Sequence, residues 1–180
     1  MLLRIHRPII WKSASCLDTI LNMPDVISVE TPIGLLFARG SDAITHLGWT
    51  KKVKSSPNAL LREAQRQIEA YFQGELKRFD LPLLPQGTSF QCQIWQHLKS
   101  IPYGTTVSYG ALGATLSTSA RAIGGACGAN PIPLLIPCHR IVGQDGHLTG
   151  YSGGNGLQTK KQLLVLEKRY LNNSRSAPTQ

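Results

Sequence analysis

Between Leu81 and Ser89 the chain reads LPLLPQGTS, and no regular element can run through it. Pro82 and Pro85 each fix φ and remove a backbone donor, and Gly87 adds a conformationally free position. The 180-residue chain is therefore read in two parts, each with its own periodicity. Before the break, VISVETPIGLLFARGSDAITHLGW, starting at Val26, places apolar strand residues between turn signals at Thr31-Pro32-Ile33-Gly34 and Gly40-Ser41-Asp42. That pattern predicts a three-stranded β-meander. Residues 58 to 73 predict a helix, with Asn58 as N-cap, Leu61, Ala64, Ile68 and Phe72 on one face, and Gly74 as the stop. This first part carries no obvious reactive constellation and reads as scaffold.

After the break, FQCQIWQHLKSI sets Phe90, Ile94, Trp95 and Leu98 at helical spacing, with Trp95 as a core residue. Pro102-Tyr103-Gly104 makes a turn, and Val107-Ser108-Tyr109 leads into a short helix from Gly110 to Leu116. Ser117-Thr118-Ser119 then caps a second helix, Ala120 to about Ala129. Two short helices joined by a polar turn suggest a helix-turn-helix, although αα-corners of this kind also occur in enzymes that never meet DNA. The expected fold class is α/β in the α+β sense: a small N-terminal sheet with a helix, then a helical C-terminal domain. The expected division is an extension at 1–24, an N-terminal domain at 25–82, a C-terminal domain at 83–170 and a tail at 171–180.

Composition narrows the partners. No apolar run approaches the roughly 20 residues that span a bilayer, so a soluble protein with no membrane partner is expected, as a monomer. The net charge of +9 is uneven: eight basic residues stand against Asp145 and Glu167 from Leu83 onward, and eleven against eight acidic ones before it. Such a balance favours an anionic partner on the C-terminal part; general basicity that only aids solubility is the alternative. Cys16, Cys92, Cys127 and Cys138 show no CxxC or other paired spacing. This argues against a disulfide framework or a zinc finger, and fits a reducing compartment, the cytoplasm or a eukaryotic nucleus. The opening MLLRIHRPIIWKSASC is basic and reads as an extension, with a transit peptide as the other reading.

The chemistry centres on LLIPCHRIVG, residues 134–143, where Cys138 stands at the end of an apolar run with His139 beside it. A thiol there is buried filler, a metal ligand, a redox group or a nucleophile. A nucleophilic thiol must become a thiolate, which needs a base or a positive field. Neighbours on an extended segment point opposite ways, so His139 would act through a bridging water. Glu167, the one carboxylate after Asp145, would orient the imidazole. The residues taken alone leave the buried thiol open.

Beyond the residues themselves, an ordered series carries a resemblance: FQCQIW, IPYG, SYG, RAIGGA, Asn130-Pro131, PCHR, Asp145-Gly146, GYSGG, Lys160, Leu163-Leu164 and Glu167, with the TPIG hairpin upstream. This series resembles the O6-alkylguanine-DNA alkyltransferases, also called methylated-DNA-protein-cysteine methyltransferases, from about Val26 to Glu167. The resemblance implies a ribonuclease-H-like N-terminal domain and irreversible transfer of a methyl or other small alkyl group to Cys138. The donor would be O6-alkylguanine in double-stranded DNA, or O4-alkylthymine. It assigns His139 as base, Glu167 as its orienter and Tyr109 as proton donor to guanine N3. Ser152 would bond O6 through its backbone amide, the carbonyls of Cys138 and Ile141 would accept from the exocyclic amine, Tyr151 would line the pocket, and Asn130 would tie the site together.

On DNA, the resemblance implies a flipped nucleotide, with Arg121 filling the gap from the minor groove. The small residues Ala122, Gly124 and Gly125, together with Ser119, would let the recognition helix approach closely. No cofactor and no metal are implied, and Cys92 and Cys127 are expected to be packing thiols. Two departures stand out: YGALGATLSTSAR is shorter than the family's usual turn and lacks its customary glycine, and NGLQTK after GYSGG is longer than usual. Two rival functions are a lesion-binding protein without transferase activity, in which the cysteine is normally replaced, and a Cys-His hydrolase acting on an acyl substrate.

Overall fold

The computed structural model describes residues 25–50 and 54–175. The expectations for residues 1–24, for Cys16, and for the end of the chain after Arg175 lie outside the described residues. Strands β1 (Val26–Thr31), β2 (Gly34–Gly40) and β3 (Ile44–Trp49) form an antiparallel meander in that order. Its register sets Val29 opposite Leu36, Ile27 opposite Ala38, and Ala38 opposite Leu47. The alternation therefore turns Ile27, Val29, Leu36, Ala38 and Leu47 toward one buried face. Helix α1 (Ala59–Gln73) covers that face with Leu61, Ala64, Ile68 and Tyr71.

Asn58 caps α1 as expected, its side-chain oxygen accepting from Leu61 N at 2.9 Å. Its amide also donates to Asp25 Oδ2 at 2.8 Å and to Gly40 O at 3.0 Å, so the cap ties the helix to the sheet. Gly74 ends the helix with φ 80°. A side chain there would also strike the Tyr170 ring, with Cδ1 only 2.2 Å from a Cβ. The Pro82–Leu84 stretch is not a free linker, because Ile44 donates to Pro82 O at 2.8 Å and accepts from Leu84 N at 2.9 Å along the edge of β3.

Helix α2 (Ser89–Ser100) begins with a capping box in which Thr88 Oγ1 accepts from Gln91 N and Gln91 Oε1 accepts from Thr88 N. Ile94, Trp95 and Leu98 are buried as read, whereas Phe90 is 39% exposed and lies off that face. The Trp95 indole donates to Ala126 O at 2.9 Å and joins α2 to the second helix of the helix pair. That pair is α3 (Tyr109–Thr115) and α4 (Ala120–Gly128), each displaced slightly from its expected bounds. Ser117 takes φ 51° in the turn between them, the left-handed position that a glycine would fill without strain.

Two short strands, β4 (Val107–Ser108) and β5 (Ile141–Val142), pair in parallel, and α5 (Leu157–Arg175) closes the fold, running on into the stretch expected as a tail. One continuous apolar cluster extends from Ile27 in the sheet to Leu163 in α5, so both parts of the chain share a core. Among the described residues no helix is long and apolar enough to cross a membrane.

Candidate active site

The apolar run Leu134–Ile136 is buried, and the chain emerges from it at Cys138. Cys138–Arg140 is a turn of 3₁₀ helix, which corrects the extended segment expected from the sequence. The reason is local: Pro137 fixes its own φ at −80°, and its carbonyl accepts from Arg140 N at 3.0 Å. Asn130 pins this turn from outside. Its amide donates to Ile136 O at 2.9 Å and lies 3.3 Å from Cys138 Sγ, while its oxygen accepts from Ile132 N at 3.0 Å.

Cys138, only 5% exposed, borders a pocket of about 1120 Å³. The same pocket is lined by Tyr109, Arg121, Gly124, Asn130, Tyr151 and Ser152, which the sequence reading had scattered along 44 positions of chain from Tyr109 to Ser152. Ser119, Ala122 and Gly125 do not line it. Ser119 is the N-cap of α4, accepting from Ala122 N at 3.1 Å, and Gly125 faces open space on the same helix. The Ile141 side chain is fully buried in β5. Cys127 is buried, as a packing thiol should be, yet it also borders the pocket.

Behind the thiol, His139 and Glu167 are both without solvent contact. His139 Nε2 lies 3.0 Å from Glu167 Oε1. The same oxygen accepts from the Tyr71 hydroxyl at 2.8 Å and from Arg140 Nη2 at 2.8 Å, and Oε2 accepts from Gly104 N at 2.9 Å and Arg140 Nε at 3.1 Å. Burial alone would raise the Glu167 pKa, but the hydrogen bonds and charges of His139 and Arg140 outweigh it and hold the carboxyl at about 2. With Glu167 ionised, His139 must carry its proton on Nε2. Burial, aided by the Arg140 charge, pulls the imidazole pKa down against the pull of Glu167, so the ring is neutral. Its Nδ1 then presents a lone pair, and this atom has no hydrogen-bond partner among the described residues.

The Cys138 thiol is pushed up by burial, with the Asn130 amide and the Lys160 charge acting in the other direction. At rest it is therefore protonated, and a base is needed to release its nucleophile. Tyr109 opens α3 above Ser108, the N-cap of that helix. Its hydroxyl donates weakly to Thr149 O at 3.3 Å and Gly150 O at 3.2 Å. Burial, with Cys127 and Cys138 close by, raises its pKa to about 12, so it keeps a proton to give.

Three participants had no role in the sequence reading: Tyr71, and Arg140 and Lys160, which entered it only as members of the motif series. Lys160 is fully buried, donates to Thr149 O at 2.7 Å and stands 5.6 Å from the centre of the Tyr109 ring. A signal for it existed, because Lys160, Leu163 and Glu167 fall at i, i+3 and i+7 on one face of α5, so two charged groups occupy core positions. Among the described residues no cluster of three or more His, Cys, Asp or Glu side chains is placed to hold a metal ion.

Residues 89–169 match the family model described as the 6-O-methylguanine DNA methyltransferase DNA binding domain, and residues 28–85 match the ribonuclease-like domain of the same methyltransferase. The chain belongs to this family. Among curated 6-O-methylguanine DNA methyltransferase relatives, the methylated-DNA-protein-cysteine methyltransferase of Methanosarcina acetivorans is 42% identical over 77% of this chain and 94% of its own length. That of Mycobacterium bovis is 49% identical over 78% of this chain and 90% of its own. Among solved structures, Mycobacterium tuberculosis OGT in complex with DNA superposes with a TM-score of 0.73 at 40% identity, covering 81% of this chain and 94% of that one.

Proposed function

We propose that this protein repairs DNA directly, moving a methyl or other small alkyl group from O6 of guanine onto Cys138 and keeping it. The observation that carries the reading is a buried thiol at the wall of a pocket, backed by a neutral imidazole and an ionised carboxylate, in a chain of this family. The same chemistry extends to O4 of thymine, which presents an alkylated oxygen of the same kind.

In the proposed reaction the Cys138 proton passes to His139 Nδ1 through a bridging water, and Glu167 stabilises the imidazolium that results. The thiolate attacks the alkyl carbon, a carbon–sulfur bond forms, and the carbon–O6 bond breaks with its electron pair going to the purine. Tyr109 donates its phenol proton to N3 of the leaving base and is later reprotonated from His139, so that in net balance one proton leaves the thiol and one is gained by guanine. The pocket wall formed by Tyr151 and the Ser152 amide holds O6, and the carbonyls of Cys138 and Ile141 hold the exocyclic amine. The thioether is stable, so each molecule acts once.

A stacked base is out of reach of the thiol, so the nucleotide must leave the duplex, at a cost of a few kcal/mol. Arg121, exposed on α4 at the pocket rim, is suited to fill the gap it leaves, and the open side of α4 at Gly125 supports a close approach to a groove. Residues 83–170 would bind DNA and accept the alkyl group, with residues 25–82 supporting them; the two matched family models divide near the same point. Free thiols at Cys92, Cys127 and Cys138 support work in the cytoplasm, or in the nucleus of a eukaryotic cell. Intact-mass measurement after incubation with a duplex containing O6-methylguanine tests the reading. Each chain should gain one CH2, and Cys138→Ala should gain none. A wild-type chain without an adduct at excess lesion overturns it.

A further inference from the structure

The Gly150–Gly154 segment carries Tyr151 and Ser152 into the pocket, yet it is neither helix nor strand. Lys160 and Tyr109 hold its first end through the Thr149 and Gly150 carbonyls. Its other end rests on a residue from the opposite part of the chain. Trp49, the last residue of β3, lies against it so closely that a Cβ on Gly153 would stand 2.5 Å from Trp49 Cζ3 and one on Gly154 would stand 2.8 Å from Trp49 Nε1. The indole has little freedom to retreat. Its N–H donates to Ile33 O at 2.9 Å in the β1–β2 turn, and its backbone pairs with Leu36.

Tyr151 meets this indole edge to face, with centroids 6.4 Å apart and planes at 85°. Its hydroxyl is buried and has no hydrogen-bond partner among the described residues. No polar contact in the described chain therefore fixes the phenol ring, and packing against Trp49 and the Gly153 backbone must do so. We propose that Trp49 is the positioning residue that sets the width of the alkyl pocket, by holding the Tyr151 ring and the Gly153-Gly154 backbone against the space in front of Cys138. The inference rests on the alkyl-transfer reading above and adds to it a determinant of alkyl size.

Removing the indole gives Tyr151 room to move away from Cys138, which admits a larger alkyl group. The test compares transfer rates from two duplexes of one sequence, carrying O6-methylguanine or O6-benzylguanine, read as mass gain against time. Because the DNA is common to both, its affinity cancels from the ratio. Trp49→Ala should raise the benzyl-to-methyl ratio by about tenfold, with Trp49→Phe in between. A purely structural role would lower both rates together and leave the ratio unmoved. Gly153→Ala supplies a second arm: its methyl group would stand 2.5 Å from the indole and 2.9 Å from Tyr151 Cε1, so it should slow methyl transfer in the wild-type background and slow it less beside Trp49→Ala, where the tyrosine ring has room to yield. If Trp49→Ala does not fold, the ratio for Trp49→Phe and the effect of Gly153→Ala decide. A ratio within about twofold of wild type, or a Gly153→Ala defect that is undiminished without the indole, overturns the inference alone. A wild-type chain that transfers neither group overturns the alkyl-transfer reading, and this inference with it.

Discussion

Glu167 has no solvent contact and accepts hydrogen bonds from Tyr71, Gly104, His139 and Arg140. Its ionised form is what all four donors recognise. Because its folded pKa, about 2, lies below its ordinary 4.5, the stability it contributes is complete above pH 4.5 and is lost as pH falls toward 2. The size of that contribution is roughly 3 kcal/mol. Denaturant unfolding at a series of pH values should show it as a midpoint that falls in this acid range. Glu63 is also held at about 2, through Arg66, but that pair is on the surface and solvent-screened, so it adds little to the slope. Glu167→Gln should flatten the acid-range fall. It should also cost about 3–5 kcal/mol at neutral pH, because Arg140 is then left buried without its counter-charge. A variant as stable as wild type at pH 7 would contradict this account of the network.

At the scale of elements, the α3–α4 turn places Ser117 in the left-handed region, where a residue with a Cβ pays about 1 kcal/mol or more. Ser117→Gly removes that strain, offset in part by the greater freedom of glycine in the unfolded chain. A net gain of about 0.5–1 kcal/mol in urea unfolding is expected, with methyl transfer unchanged because Ser117 does not border the pocket. A loss of stability would show that the turn is not strained. The elements themselves were legible where one local rule decided them. Asn58, Gly74, Ser119 and the alternation from Ile27 to Ala38 each act within a few residues, and each stood where it was read. Phe90 was misjudged because periodicity names a face without saying how far the partner surface extends. The 3₁₀ turn at Cys138 escaped because an apolar run ending in proline fits extended chain equally well. Arg140 and Tyr71 were invisible as parts of the site, since their bonds to Glu167 span 27 and 96 residues and leave no trace in spacing.

Over the whole molecule, the larger share of the basic excess, +6 of the net +9, lies in the part of the chain that holds the thiol, which is where a polyanion must dock. Repair of duplex should therefore weaken steeply with salt, while alkylation by free O6-benzylguanine should not. Arg121→Ala should separate the two in the same way, slowing repair of duplex by about 10²-fold or more and leaving the free base within about twofold of wild type. Rates measured at two salt concentrations on both substrates check this, and equal losses on both would remove Arg121 from base flipping.

The Tyr71–Glu167 hydrogen bond also has a bearing on how the chain is made. Tyr71 leaves the ribosome before Glu167, with Cys138, His139 and Arg140 in between. Until α5 emerges, His139 has no carboxylate to fix its tautomer and Arg140 has no counter-ion, so the nascent C-terminal part cannot bury either at low cost. A growing polypeptide thus exposes its thiol and imidazole before it has the carboxylate that would orient the base, and competence waits for α5. For a protein whose reactive group can be used only once, that order leaves the thiol without an oriented base until α5 is in place.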